Sequence, residues 1–163
     1  MNSFNYNIEK RVFNFNFPAG TSRGVLNNKT SWFVSLYLGS KSGLGECSII
    51  KGLTPEYIDD IQYEDTLIDI LEAFKKEIQN LDGSIHIDLI SNNSKLYKIT
   101  KKLPSIRFGI EMAFLNMFHG ESIYFKNNFS LKNHKIPING LIWMGDLSFM
   151  KSQIDKKIKE GFK

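Results

Sequence analysis

The sequence predicts an α+β fold made of a three-stranded antiparallel meander, a bundle of helices and one final strand and helix. Three observations predict it. Residues 4–17, 31–39 and 43–48 are alternating or rich in aromatic and β-branched side chains, as strands are. After Pro55 the apolar spacing changes from two to about 3.6 residues, the period of a helix. Residues 136–144 are apolar without alternation, which is typical of a strand buried on both faces.

The first two strands are separated by the least generic stretch of the chain, residues 17–26. We expect a loop of about fourteen residues here, long for a hairpin and of a length often found in lids or binding loops. Gly20 and Gly24 bracket Thr21-Ser22-Arg23, a tip with two hydroxyls and one guanidinium that suits a carboxylate or phosphate. A hairpin whose Arg23 pairs with a nearby glutamate is the alternative.

The third strand ends in Glu46 and Cys47, at the start of a second loop, residues 48–54. Strand ends are where side chains meet neighbouring domains, so both residues are candidates for a site. Glu46 could equally be a surface or backbone-capping carboxylate. Cys47 could equally be a small buried hydrophobic residue.

Two longer helices follow in the central part of the chain. The first carries an apolar stripe from Leu67 to Leu81, with Thr66 or Asp65 as its cap and Gly83 at its end. Shorter helical stretches are expected over residues 85–90 and 95–102. Ser105 is predicted to cap a helix over residues 106–119 that is apolar almost all round and therefore central and buried. On its edge Arg107 and Glu111, four residues apart, are expected to pair.

The last strand, residues 136–144, is followed by a helix that Asp146 is expected to cap and Gly161 to end. The helix carries one apolar stripe, formed by Leu147, Met150, Ile154 and Ile158. One strand and one helix make a single βα unit, and a barrel needs eight. The predicted domains are therefore residues 1–133 and residues 134–163.

The composition limits the classes of partner that we expect for this chain. The chain has 163 residues, is 42% hydrophobic and 23% charged, and carries a formal charge of +4. The basic excess lies in solvated helix faces without a nucleic-acid-binding module, so no nucleic-acid partner is expected. No apolar run approaches the ~20 residues of a membrane helix, no leader opens the chain, and the single cysteine cannot form an internal disulfide. A cytoplasmic protein without a membrane partner is the expectation.

His86, His119 and His134 have no metal-ligand spacing, and no metal site is predicted from them.

Four motifs follow one another along the chain: Thr21-Ser22-Arg23-Gly24, Gly43-Leu44-Gly45-Glu46-Cys47 with Lys51-Gly52-Leu53, Pro104 to Ala113, and Ile136 to Gly145. In this order they resemble the amino-terminal part of an o-succinylbenzoate synthase of the enolase superfamily. Gly-Leu-Gly-Glu-Cys in particular is similar to a strand end that recurs across this superfamily.

The resemblance implies an enolase-type N-terminal capping domain over residues 1–133, followed by the first β/α unit of a truncated TIM-like barrel. It implies a lyase that removes water from a succinyl-hydroxycyclohexadiene-carboxylate, giving o-succinylbenzoate for menaquinone biosynthesis. Catalytic groups and Mg²⁺ ligands are expected on later barrel strands, with a Lys-x-Lys motif beyond Lys163, so this chain alone is predicted to be inactive and to bind no metal. The missing barrel segment or a second copy is the expected protein partner.

In that enzyme the chain would supply the lid and the specificity loops for a small-molecule carboxylate. Arg23 or the Ser22 hydroxyl is expected to face the succinyl end of the substrate, and Trp143 its ring. The predicted substrate-binding residues are Thr21, Ser22, Arg23, Gly24, Glu46, Cys47, Trp143 and Met144.

Two other interpretations stay open. Within the superfamily, the cap could belong to a dipeptide epimerase, a muconate cycloisomerase or an N-acylamino acid racemase, which share the architecture and differ in the mobile loops. In another class, the chain could be a free-standing α+β binding module that uses its basic helices on an acidic partner. Salt-sensitive capture of nucleic acid would favour the module, because phosphate binding weakens steeply with ionic strength.

Overall fold

A computed structural model describes residues 4–21, 24–80, 87–120 and 124–162. Three strands form one sheet in the order β1-β2-β3, with bounds Phe4–Thr21, Gly24–Leu38 and Lys41–Ser48. The helices are α1 (Asp60–Asn80), α2 (Lys95–Ile99), α3 (Pro104–His119) and α4 (Leu147–Lys159), with a 3₁₀ turn at Ile87–Ile90. The predicted α+β architecture, a three-stranded antiparallel sheet with helices, is confirmed.

The prediction of a long loop between the first two strands is wrong. β1 continues to Thr21 and β2 begins at Gly24, so the two strands form a long hairpin. Pro18 lies within β1, which is an edge strand of the sheet, where a residue without an N–H is tolerated. Of the predicted tip, Thr21 is the last residue of β1, and Ser22 and Arg23 lie outside the described residues.

The chain divides into two compact units. Unit 1 comprises Met1–Val12 and Thr30–Tyr124, and unit 2 comprises Phe13–Lys29 and Phe125–Lys163. The boundary between the units falls within β1 and β2. The division at residues 133 and 134 stays a prediction.

Unit 1 is built on β3, which pairs antiparallel with β2 and packs against α3. The approach is close because three glycines line it. A Cβ on Gly45 would lie 2.7 Å from the Ala113 nitrogen, and one on Gly43 would lie 2.5 Å from the Met117 nitrogen. From the helix side, a Cβ on Gly109 would lie 2.9 Å from the Cys47 nitrogen. Backbone therefore meets backbone along this contact.

Helix α1 begins earlier than the apolar stripe predicts. Asp59 Oδ1 accepts a 2.8 Å hydrogen bond from the Gln62 N–H, so Asp59 caps the helix and the predicted caps Asp65 and Thr66 are wrong. The stripe itself is confirmed, since Leu67, Ile70, Leu71, Phe74 and Ile78 are buried. Leu81 and Gly83, the predicted end, lie outside the described residues.

Helix α3 is central and buried, as predicted, but Ser105 does not cap it. The helix starts at Pro104, and its N-cap residue Leu103 makes no side-chain capping bond. Glu56 performs that role from a distant loop: its Oε1 accepts from the Ser105 N–H at 2.7 Å and from the Ser105 hydroxyl at 2.6 Å. A carboxylate at a helix N-terminus also complements the helix dipole. The predicted Arg107–Glu111 pair is present, at 3.7 Å.

The core of unit 1 joins one face of the sheet to α1 and α3. Phe74 contacts the rings of Phe4 and Phe114, with centroid separations of 5.9 and 5.3 Å. Trp32 is fully buried against Tyr63, and its indole N–H donates to Glu64 at 2.9 Å. The aromatic side chains thus fill the space between sheet and helices.

In unit 2 the predicted strand over residues 136–144 is not formed. Residues 135–143 have no regular structure, and Met144 makes an isolated antiparallel bridge with Gly20. A strand needs a partner along its length, and in the described part of unit 2 the bridge to Gly20 is the sole pairing of this segment. Helix α4 follows as predicted, capped by Asp146, whose Oδ1 accepts from the Phe149 N–H at 2.8 Å.

The apolar stripe of α4 is largely exposed. Leu147 is 84% exposed and Ile158 is 64% exposed, and no α4 residue, all of which are described, is fully buried. Ile136, Ile138 and Leu141 of the preceding segment are exposed as well. Unit 2 therefore presents a large apolar surface.

Candidate functional site

Glu46 and Cys47 lie in unit 1, side by side on β3, where they pair with Phe33 and Trp32 of β2. Adjacent strand residues point to opposite faces of a sheet. The Glu46 carboxylate is half-buried and accepts a 2.7 Å hydrogen bond from the hydroxyl of the buried Ser31.

Cys47 points into the core and is fully buried. Its Sγ lies 3.8 Å from the carbonyl oxygen of Ile106. Burial, with a smaller contribution from the charge of Glu46, raises the pKa of the thiol to about 12. A neutral, inaccessible thiol cannot contact a substrate, so the alternative interpretation of Cys47 as a small buried hydrophobic residue agrees with the structure.

Thr21, Gly24 and Met144 lie in unit 2, around the end of the hairpin. The Thr21 hydroxyl donates a 2.8 Å hydrogen bond to the carbonyl oxygen of Gly24, which joins the end of β1 to the start of β2. Gly24 has φ of +130°, a conformation that favours glycine. Met144 bridges Gly20, one residue before Thr21. The structure thus brings these three predicted residues into one region of unit 2.

Trp143 belongs to the same region and is held by two elements of unit 2. Its ring meets Phe17 of β1 edge to face, with centroids 6.3 Å apart. Its backbone is held by Gln153 of α4, whose Oε1 accepts from the Trp143 N–H at 2.9 Å and whose Nε2 donates to the Trp143 carbonyl at 3.0 Å. Both polar groups of this backbone are therefore satisfied by one side chain.

Two hollows share Phe17 and Trp143 as walls, and together they are called the Trp143 site. The first, of about 280 Å³, is lined by residues of β1 and by the indole: Asn14, Phe15, Asn16, Phe17, Ala19 and Trp143. The second, of about 370 Å³, adds residues of α4 and of the segment before it: Phe17, Leu141, Trp143, Phe149, Gln153, Lys156 and Lys157. Volumes near 300 Å³ suit a small organic molecule.

The second hollow combines aromatic walls with two ammonium groups. Lys157 Nζ lies 2.8 Å from Glu160 Oε2, and Lys156 Nζ lies 3.9 Å from Glu160 Oε1. The hydrogen bond from Lys157 lowers the pKa of the Glu160 carboxyl. Two cations thus share one carboxylate, which leaves net positive charge at the rim. Such a hollow suits a molecule with an apolar ring and a negative group.

Sequence reasoning missed Phe17, Phe149, Gln153 and the two lysines of this site. Phe17 opens the stretch that the sequence singles out, yet its alternation with Phe13 and Phe15 indicates a strand and nothing more. Gln153 gave a weak signal, an uncharged polar residue beside Ile154 of the apolar stripe. Its role depends on the fold of the segment before α4, which periodicity does not reveal.

The Mg²⁺ that the resemblance implies for a complete enzyme needs a cluster of oxygen ligands. In the part of the chain that the structure describes, no group of three or more His, Cys, Asp or Glu residues is placed to hold a metal ion. The described residues therefore do not fit a Mg²⁺ site. Across the same residues, no helix is both long and apolar enough to cross a membrane.

Comparison with known proteins bears on the identity of the chain. A curated o-succinylbenzoate synthase from Desulfotalea psychrophila is 36% identical over a match that covers 91% of this chain and 44% of that protein. Over most of its own length, this chain is similar to that o-succinylbenzoate synthase. It spans less than half the length of the curated relative. No protein-family model matches the chain.

One solved structure agrees with this similarity over nearly the whole chain. The crystal structure of MenC from Desulfotalea psychrophila has a TM-score of 0.61 at 29% identity, over 99% of this chain and 47% of that one. An enolase family member from Agrobacterium tumefaciens, with homology to dipeptide epimerases, has a TM-score of 0.45 at 14% identity, over 94% of this chain and 42% of that one. The MenC match agrees with the α+β capping-domain part of the fold that the resemblance implies. The strand of the implied β/α unit is not formed.

Proposed function

We propose that this chain is the capping part of an o-succinylbenzoate synthase-like enzyme and supplies its lid and specificity surfaces. The observation that carries the proposal is the 36% identity to the curated o-succinylbenzoate synthase over 91% of this chain. The reaction would be loss of water from succinyl-hydroxycyclohexadiene-carboxylate, giving o-succinylbenzoate. Mg²⁺ and the groups that move the proton would come from parts of the enzyme that this chain does not contain.

The Trp143 site supports a binding role for unit 2. The proposed substrate has a ring and carboxylates, and the second hollow offers aromatic walls beside the ammonium groups of Lys156 and Lys157. Apolar walls would exclude water from the ring, and the positive rim would favour an anionic group. In this proposal, Trp143 would contact the ring of the substrate, as predicted from the sequence.

The exposed apolar surface of unit 2 fits the expected protein partner. Leu147 and Ile158 of α4 are 84% and 64% exposed, and a helix with such a stripe normally packs against another element. We propose that further barrel segments cover this stripe in the complete enzyme. A second copy of the chain is the alternative occupant.

The test is an activity assay of the full-length protein that contains this chain. Purified with Mg²⁺, it is expected to convert succinyl-hydroxycyclohexadiene-carboxylate to o-succinylbenzoate and to leave L-Ala-L-Glu unchanged. The 163-residue chain alone is expected to be inactive. Epimerisation of the dipeptide without dehydration, or dehydration by the 163-residue chain alone, would overturn the proposal.

The predicted role of Arg23 has its own test in the same assay. Arg23→Ala is expected to raise KM for the succinyl substrate, because the guanidinium can no longer pair with its carboxylate. Lys41→Ala, which removes an exposed cation at the start of β3, serves as the control. Equal kcat/KM values for the two variants would count against a substrate contact by Arg23.

A further inference from the structure

A single side chain of α4 links three parts of unit 2. The Gln153 carboxamide bonds both backbone groups of Trp143, at 2.9 Å through Oε1 and at 3.0 Å through Nε2. The orientation of the amide is fixed, because a flip would set N–H against N–H and oxygen against oxygen. Gln153 therefore pairs with Trp143 as a neighbouring strand would.

The segment that Gln153 holds contacts β1 at two places, through the Trp143 ring and through Met144. The indole ring meets Phe17 edge to face, with an interplanar angle of 79°. The next residue, Met144, bridges Gly20. That bridge requires a glycine, since a Cβ on Gly20 would lie 3.1 Å from the Met144 carbonyl carbon and closer still to its oxygen. The helix, the 141–144 segment and β1 are thus joined through one peptide.

We propose that Gln153 is a positioning residue that holds the Trp143 ring in place as the shared wall of the two hollows. The inference rests on the proposed function where it concerns substrate, and on geometry alone where it concerns Trp143. Residues 135–143 have no regular structure of their own. The position of the Trp143 ring therefore depends on contacts with side chains. Gln153 supplies the two side-chain hydrogen bonds to the Trp143 backbone.

Acrylamide quenching of tryptophan fluorescence tests the geometry in the 163-residue chain without any turnover. The chain has two tryptophans, and Trp32 is fully buried, so quenching reports mainly on Trp143. Gln153→Met keeps the length of the side chain and removes both hydrogen bonds. It is expected to raise the Stern–Volmer constant by about twofold or more, because two hydrogen bonds to the Trp143 peptide are lost. Ser152→Met, at the exposed neighbouring position, is expected to leave the constant unchanged.

A second variant gives a signature that general loosening of the helix would not produce. In Gln153→Glu the ionised carboxylate can accept from the Trp143 N–H but cannot donate to its carbonyl. Protonation restores a donor, so quenching should fall from pH 7 toward pH ~4.5, near the ordinary pKa of glutamate. Gln153→Met should show no such fall. Circular dichroism of each variant verifies that α4 is retained.

Unchanged quenching in Gln153→Met would overturn the proposal. If Gly20→Ala then exposed Trp143, β1 alone would hold the ring. In the full-length enzyme, Gln153→Met is expected to raise KM more than it lowers kcat. Altered quenching in a protein that makes no o-succinylbenzoate would leave the role of Gln153 standing and remove the proposed function.

Discussion

Replacing Gly45 by alanine tests how closely β3 packs against α3. The new Cβ would lie 2.7 Å from the Ala113 nitrogen and closer still to the carbonyl oxygen of Gly109. Both atoms belong to the backbone of α3 and cannot rotate away. Reaching an ordinary contact of 3.4 Å with the nitrogen alone requires the helix to withdraw by about 0.7 Å.

The free energy of unfolding should fall by about 3 kcal/mol, the upper end of the range for overpacked cores, because no side chain can absorb the strain. Alanine also restricts the unfolded chain, which returns roughly 0.4–1 kcal/mol. The net loss is therefore about 2–2.6 kcal/mol, a drop in Tm of about 4–10 °C for a domain of this size.

Thermal unfolding followed by circular dichroism measures this loss. Leu44→Ala is the matched control, since Leu44 is the preceding residue of β3 and is 51% exposed. It should change stability by about 0.5 kcal/mol or less. If Gly45→Ala melts within about 1 °C of the wild-type chain, the backbone approach of β3 and α3 does not limit packing and the reasoning fails.

Three further predictions use other features of the fold. Cys47 should not react with a thiol reagent at pH 8 in the native chain, because burial raises its pKa to about 12. It should react fully in denaturant. Rapid labelling of the native chain would contradict this prediction. Glu56→Ala should lower the free energy of unfolding by about 1–3 kcal/mol in a denaturant titration, since it leaves the start of α3 uncapped, whereas Glu56→Gln, which keeps an acceptor, should lose less. Hydrogen bonds from Ser148 and the Phe149 N–H lower the pKa of Asp146 below its ordinary value of 3.8. The stabilisation of α4 by Asp146 is therefore present above pH 3.8 and is lost as the pH falls further. Ellipticity at 222 nm should show this loss in the wild-type chain and less of it in Asp146→Asn.

The sequence predicted the elements whose evidence is local. The stripe from Leu67 to Ile78 and the apolar helix after Pro104 both lie where periodicity places them, because each buries its apolar face in one core. The Asp146 cap was also predictable, since the capping atom and the capped N–H are three residues apart. Such features need no knowledge of the rest of the chain.

Features that depend on distant partners were not predictable. Pro18 and Gly20 have the composition of a loop, yet pairing between two strands satisfies the backbone whatever the side chains are. Ser105 looks like a helix cap, but the capping carboxylate comes from Glu56, 49 residues away in sequence. Residues 136–144 have the composition of a strand but pair at Met144 alone.

The candidate site also contains residues that could be predicted from the sequence and contacts that could not. Trp143 and Met144 could be named from the sequence because they close an apolar segment. The contacts that form the Trp143 site could not, since Phe17 and Gln153 reach Trp143 from opposite directions along the chain. A motif identifies residues, whereas the shape of a hollow depends on which elements meet there.

The uncovered stripe of α4 should govern how this chain behaves in solution. Leu147 and Ile158 are 84% and 64% exposed, and Lys156 is exposed beside them on a chain with a formal charge of +4. At low ionic strength, repulsion between these cations keeps molecules apart. Added salt shortens the range of that repulsion to about 10 Å at 0.1 M. It does not weaken the attraction between the apolar faces of the helices. Concentrated samples should therefore cloud as sodium chloride is raised and clear again on dialysis.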